Sequence, residues 1–367
     1  MENINNYLVL NDIELEIING LLDEIEDEKE MFEFDWTEYK NIYKSYLANA
    51  KIYKYPKIVV PLKKQEVVGY ALKFFQSFNQ DLYTKIANSI MGRKHNEFIE
   101  VYDKYDVIDY NETNELGFEK RSPIPKMGLS DSPKCMMVYM PINNRFTKEE
   151  KEALGIEATL ADIYTFVHEL SHMLDVEKIN YTRKYLTEST AIGFELYLSE
   201  YLLKNTGFSI DAIKSEYFGR IRNLIGYTQS TKFMIEMLEQ RNEKSKITND
   251  DLNLLREKNK YPIDYFKSLM TYYLTENESL IYNLPYANSA LFSPTIAVKL
   301  HNNESIVDYL NSVKKDDYFG SIQSLGINQN KNGISKIGIN QLIQNSNTYN
   351  NFIFNFSREK EAKLLDR

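Results

Sequence analysis

Residues 158–175 read ATLADIYTFVHELSHMLD, and the prediction of a helical fold starts from this stretch. Its apolar residues recur every three or four positions and cover most of a helical surface, which predicts a helix buried on nearly all sides. The same helix carries His168 and His172, with Glu169 between them. Polar side chains inside a protein need partners, and a metal ion bound by the two histidines would supply them.

The spacing of the two histidines is typical of a zinc-binding helix. His168 and His172 are four residues apart, so their imidazoles project from one helical face and lie one turn apart. Each neutral imidazole can give zinc a nitrogen ligand, and Glu169 can reach a water on the metal without ligating the metal itself. The HExxH pattern also arises by chance, around histidines that are only hydrogen-bonded in a core. Because the chain has only 4 His and two of them fall in this pattern, we predict one zinc ion (Zn2+) per chain.

A hydrolytic zinc site needs a third protein ligand and an open position for water. Residues 186–207, LTESTAIGFELYLSEYLLKNTG, predict a second helix over 187–204, with Thr187 as the N-cap and Glu188 in the first turn. In an antiparallel helical hairpin the end of one helix meets the start of the next, so Glu188 is the predicted third ligand. Glu195 follows two turns later on the same face. We expect it either to hydrogen-bond a zinc ligand or to be an ordinary surface glutamate.

The composition excludes several classes of function. The formal net charge of −9 disfavours binding to nucleic-acid phosphates, and a lysine-rich stretch over 51–64 is interpreted as a solvated surface. The single cysteine, Cys135, excludes internal disulfides and a four-cysteine zinc site. Apolar stretches fall short of the roughly 18 residues that span a bilayer, and the first residues lack the pattern of a secretory signal. We therefore expect a cytoplasmic protein that binds neither nucleic acid nor membranes.

Periodicity along the chain predicts a mainly helical fold with a small β-sheet ahead of the HExxH helix. In the first predicted helix, the expected buried stripe is Ile13, Ile17, Leu21 and Ile25. Prolines and short extended runs, among them CMMVYMPI at 135–142, predict the strands. The predicted helices cover 11–31, 36–50, 63–92, 159–175, 187–204, 209–241 and 262–277, with more after 286.

Two predicted units organise these elements. The first is a helical N-terminal lobe over 1–100, and the second is a catalytic region over 101–367. The catalytic region comprises the small sheet at 101–145, the zinc-binding helices at 159–205 and the C-terminal helices at 209–367.

Three segments resemble the thimet oligopeptidase and oligoendopeptidase F family of zinc peptidases. The first is ADIYTFVHELSHM at 161–173, and the second is ESTAIGFE at 188–195. The third is IYNLPYANSALFSPTIAVKL at 281–300, followed by YLNSVKKDDYFGSIQSLGI at 309–327. Ser171 stands where the family usually has glycine, and the chain is much shorter than typical members.

The resemblance implies a zincin-like fold and a role for each matching residue. His168, His172 and Glu188 would be the zinc ligands and Glu169 the general base. Tyr282 or Tyr286 would be the phenol that donates a hydrogen bond to the oxyanion. Asp162 and Glu195 would support the ligands, and the strand CMMVYMPI would pair with extended substrate.

These observations together predict a zinc-dependent peptidase that hydrolyses peptide bonds with metal-activated water and Glu169 as general base. We expect an endopeptidase that acts on oligopeptides, because no motif for recognising a free substrate N-terminus is evident. Two alternatives stay open. One is a protease specific for one folded protein, and the other is a non-catalytic, zinc-containing peptide-binding protein.

Overall fold

The structure is a computed structural model. It describes residues 7–29, 36–51, 53–78, 99–103, 136–140, 158–171, 186–275, 279–315, 317–331 and 333–357, together with the isolated residues 80, 83, 84, 87 and 153.

Within these ranges the chain is mainly helical, which confirms the prediction of a mainly helical fold. The 12 helices are α1 (Asp12–Lys29), α2 (Trp36–Asn49), α3 (Lys64–Phe78), α4 (Leu160–Ser171), α5 (Thr187–Asn205), α6 (Ile210–Lys244), α7 (Asn249–Asn259), α8 (Ile263–Thr275), α9 (Ser279–His301), α10 (Val307–Lys314), α11 (Tyr318–Ser324) and α12 (Lys336–Asn355). Among them, none is long and apolar enough to cross a membrane.

The described strands form three separate pairs rather than one sheet. The strands are β1 (Pro61–Leu62), β2 (Ile99–Asp103), β3 (Met136–Met140), β4 (Ala158–Thr159), β5 (Gln329–Asn330) and β6 (Gly333–Ile334). β1 pairs antiparallel with β4, β2 pairs parallel with β3 in the register Ile99↔Met136, and β5 pairs antiparallel with β6. The predicted strand CMMVYMPI thus contains β3, which packs against α4.

The helix of the HExxH motif, α4, lies in the centre of the core. Its apolar residues Leu160, Ile163, Phe166, Val167 and Leu170 are all fully buried, as the sequence predicts. The amide of Leu160 donates to the carbonyl of Val60 at 2.9 Å, so the start of α4 is joined to the segment that leads into β1.

α5 runs antiparallel to α4 and parallel to α9. The hydroxyls of Tyr164 in α4 and Ser199 in α5 lie 3.0 Å apart. Ser293 of α9 donates to the carbonyl of Ser189 in α5 at 2.9 Å. At Gly193 the two helices are so close that an added Cβ would lie 2.7 Å from Cγ2 of Ile296. The starts of α5 and α9 are therefore at the same end of the bundle.

One continuous apolar core extends along the chain from Leu8 to Phe356. Tyr43 of α2 donates a buried hydrogen bond to the side-chain carbonyl of Asn288 in α9 at 2.7 Å. The helices of the first hundred residues therefore share their packing with the C-terminal helices.

Local details differ from the sequence prediction. Ile13 is 63% exposed, and the buried face of α1 consists of Ile18, Leu21, Leu22 and Ile25. The predicted N-cap Thr187 is wrong, because Leu186 occupies that position and no side chain caps the helix. The helix α7, which begins with a capping box between Thr248 and Asp251, was not predicted.

Candidate metal centre

His168 lies between two carboxylates that both belong to α5. Its Nε2 is 3.1 Å from Oε2 of Glu188, and its Nδ1 is 2.5 Å from Oε1 of Glu195. All three side chains are largely buried. The antiparallel packing of α4 and α5 therefore brings together a residue of the HExxH motif, the predicted third ligand and the predicted supporting acid.

The geometry of α5 explains why two of its glutamates reach one imidazole. Glu188 and Glu195 are seven residues apart, which is about two turns, so they occupy one helical face. Glu188 is also in the first turn of the helix, where the helix dipole favours a negative charge. Their spacing in the sequence was sufficient to predict that both glutamates lie on this face.

A largely buried arginine binds the carboxylate oxygen of Glu195 that does not contact His168. Nε of Arg220 in α6 donates to Oε2 of Glu195, and its Nη1 donates to Glu216 at 3.1 Å. Its Nη2 donates to the carbonyl of Ala161 at 3.2 Å, and the guanidinium lies 4.3 Å from the ring centroid of Tyr164. His168, Glu195 and Arg220 thus form a chain of hydrogen bonds.

The charges of His168, Glu195 and Arg220 stabilise one another. Burial raises the pKa of Glu195, but Arg220 and His168 outweigh it and hold that pKa below its usual range. Burial lowers the pKa of His168, but the hydrogen bonds with Glu188 and Glu195 outweigh it, so the pKa lies well above its usual value. The raised pKa of His168 thus follows from the carboxylates that lie at both of its ring nitrogens.

The donor atoms described here fit a zinc ion. Two ligand atoms at about 2.0–2.1 Å from a tetrahedral zinc lie roughly 3.3 Å apart, close to the 3.1 Å between Nε2 of His168 and Oε2 of Glu188. The carboxylate on Nδ1 leaves Nε2 as the nitrogen that faces Glu188, as in carboxylate–histidine–zinc arrangements. His172 and the side chain of Glu169 lie outside the described residues. Among the side chains that are described, no group of three His, Cys, Asp or Glu residues converges as a metal site.

Asp162 lies in the first turn of α4, and Arg220 and Glu216 are close enough to affect its pKa. Its Oδ2 accepts hydrogen bonds from the amide of Thr159 at 2.6 Å and from the Thr159 hydroxyl at 2.9 Å. Burial raises the pKa of Asp162 to about 6, although these hydrogen bonds lower it. Its hydrogen bonds with Thr159 are those of a residue that caps a helix.

Of the two predicted tyrosines, only Tyr286 has a described side chain. Its ring stacks on Tyr227 of α6, with centroids 4.8 Å apart and an interplanar angle of 27°. Because α9 runs parallel to α5, Tyr286 lies toward the same end of the bundle as Glu188. Tyr282 belongs to α9, but its side chain lies outside the described residues.

Sequence reasoning missed Arg220 and Tyr227. A signal for Arg220 was present, because it follows the helical spacing of the apolar residues Ile213, Tyr217 and Leu224, all of which are buried. A cation in such a stripe predicts a buried ion pair. Tyr227 had no comparable signal among the 28 Tyr of the chain.

No family model matches this chain, and no curated protein or solved structure matches it. The resemblance to the thimet oligopeptidase and oligoendopeptidase F family therefore remains a prediction from the motifs.

Proposed function

We propose that this protein is a zinc-dependent peptidase with His168, His172 and Glu188 as zinc ligands and Glu169 as general base. The observation that carries the proposal is the 3.1 Å separation between Nε2 of His168 and Oε2 of Glu188. An ordinary ion pair would produce the same distance. The position of both residues in a zinc-binding sequence pattern favours the metal site.

Each residue has a defined part in the proposed reaction. When bound, zinc supplies Lewis-acid chemistry and acidifies water. Glu169 accepts the proton of the water as it attacks the scissile carbonyl, and then delivers this proton to the leaving amine. The hydroxyl of Tyr286 or Tyr282 donates a hydrogen bond to the carbonyl oxygen as negative charge develops on it. Glu195 holds the ring of His168 in the orientation that ligation requires.

We propose oligopeptides as substrates, with cleavage inside the peptide. Among the described residues, β3 has only β2 as a hydrogen-bonded neighbour, and it packs against α4. A strand beside the HExxH helix can pair with an extended peptide through its backbone. A reducing compartment such as the cytoplasm suits a chain with a single cysteine.

The substitution Glu169→Gln tests the proposed chemistry. We expect it to abolish cleavage of a quenched-peptide library while zinc binding stays near stoichiometric, because the amide keeps the size of the side chain but cannot accept the proton. Glu243→Gln is the matched control, since Glu243 is exposed near the end of α6. Activity retained in Glu169→Gln would remove the assigned base.

The same assay separates the proposal from its alternatives. Cleavage of intact proteins without cleavage of any library peptide would favour a protease directed at one folded protein. Zinc binding by the wild-type chain without cleavage of either kind of substrate would favour a peptide-binding protein.

A further inference from the structure

We propose that Arg220 is a positioning residue, which fixes the imidazole of His168 through Glu195 and thereby sets the affinity for zinc. The zinc part of this inference rests on the proposed function. The positioning of His168 does not, because it concerns contacts between protein side chains alone.

The two oxygens of Glu195 are divided between two partners. Oε1 binds Nδ1 of His168, and Oε2 accepts the hydrogen bond from Nε of Arg220. A carboxylate held at both oxygens cannot rotate about its terminal bond without breaking one of these contacts. The position of Arg220 therefore determines the direction in which Glu195 presents Oε1 to the imidazole.

Arg220 is itself held on several sides by elements around the site. Its Nη2 donates to Ala161 and its guanidinium lies over the ring of Tyr164, and both of these residues belong to α4, as His168 does. Its Nη1 donates to Glu216, one turn earlier in α6. Arg220 thus joins α4, α5 and α6 at the level of the zinc ligands, in the planar geometry that a guanidinium offers and an ammonium does not.

The charge balance of this cluster decides which variants are informative. Arg220 is the cation bound by both Glu195 and Glu216. Replacing Arg220 alone leaves the two buried carboxylates without the cation that they share, which can prevent folding. The double variant Arg220→Gln/Glu216→Gln removes one positive and one negative charge together. Comparison with Glu216→Gln alone then isolates the effect of the arginine.

Two measurements on the full-length chain test the proposal. The first is the affinity for Zn2+ in competition with a chelator. We expect the double variant to bind about 10–100-fold more weakly than Glu216→Gln, the usual cost of losing a residue that orients a ligand. The second is the exchange of the His168 Nδ1 proton with solvent in the metal-free protein, followed by NMR and assigned with His168→Gln. We expect slow exchange in the wild type and faster exchange in the double variant.

Two further variants complete the experiment. Arg222→Gln is the control, because Arg222 lies two residues further along α6 and is exposed, and we expect wild-type values in both measurements. Arg220→Lys keeps a positive charge in the cluster. Its folding therefore does not require the cluster to tolerate the loss of that charge. Because the ammonium lacks the planar fork, we expect intermediate values for this variant.

The outcomes separate this inference from the proposed function. Arg220→Lys indistinguishable from the wild type in both measurements would overturn the positioning role, as would a folded double variant that matches Glu216→Gln. A wild-type chain that binds no zinc would instead contradict the proposed function. The proton-exchange measurement would then still decide whether Arg220 positions His168.

Discussion

The imidazole of His168 has a carboxylate at each ring nitrogen, and this is the feature at residue scale that most constrains function. Glu195 occupies Nδ1 and Glu188 lies at Nε2. The spacing of residues along one helix was sufficient to predict that Glu188 and Glu195 share a face. It could not predict that Glu195 is the partner of Arg220, because that contact joins residues 25 positions apart in sequence and depends on how α6 packs against α4 and α5.

Asp162 gives a prediction about stability and pH. Burial raises its pKa to about 6 in the folded protein, from 3.8. The folded state therefore holds the proton more tightly than the unfolded state, so the contribution of Asp162 to stability is present in full below pH 3.8 and is lost as the pH rises through about 6. We expect the loss to be on the order of 3 kcal/mol.

The variant Asp162→Asn removes this titration, since an amide keeps an oxygen acceptor for Thr159 and carries no charge. Urea unfolding at several pH values measures the effect. The stability of the wild type relative to Asp162→Asn should decrease between about pH 4 and pH 7. A difference that is independent of pH, or one that changes in the opposite direction, would show that Asp162 is charged in the folded protein at acidic pH.

At the scale of elements, the close contact between α5 and α9 keeps Glu188 and Tyr286 at one end of the bundle. The contact depends on Gly193, where a side chain would collide with the buried Ile296. We expect Gly193→Ala to lower the free energy of unfolding by about 1–3 kcal/mol, because overpacking forces the helices apart.

Gly20→Ala is the matched control for this substitution. Gly20 lies inside α1, and an added Cβ would meet nothing within 4 Å. Alanine there should raise the free energy of unfolding by about 0.5–1 kcal/mol, since glycine is unfavourable inside helices. Equal effects of the two substitutions in denaturant unfolding would contradict the close contact of α5 and α9.

The elements also show where the sequence was sufficient and where it was not. The apolar periodicity of α4 predicted a buried helix, and all five of its large apolar residues named above are fully buried. In α1 the same kind of pattern selected Ile13, which is exposed, because a stripe of residues four apart drifts around a helix of 3.6 residues per turn. α7 was missed because its sequence NDDLNLLREKN is strongly polar, and only its capping box marks its start.

At the scale of the whole molecule, one core joins the first hundred residues to the C-terminal helices. Contacts such as that of Tyr43 with Asn288 connect positions 245 apart in sequence. Periodicity predicts that such residues are buried but not which partner they meet, since pairing of distant helices depends on the shape of both surfaces. The class of the fold could therefore be predicted from sequence, whereas its packing could not.

The central claim is that the HExxH motif and the start of α5 together bind one zinc ion. Crystallographic coordinates of the zinc-loaded protein, with the metal located by its anomalous signal, test this most directly. We predict zinc bonded to Nε2 of His168, a ring nitrogen of His172 and a carboxylate oxygen of Glu188, each at about 2.0–2.2 Å. Zinc bound elsewhere, or a Glu188 carboxylate that stays paired with His168 and does not touch the metal, would contradict the account.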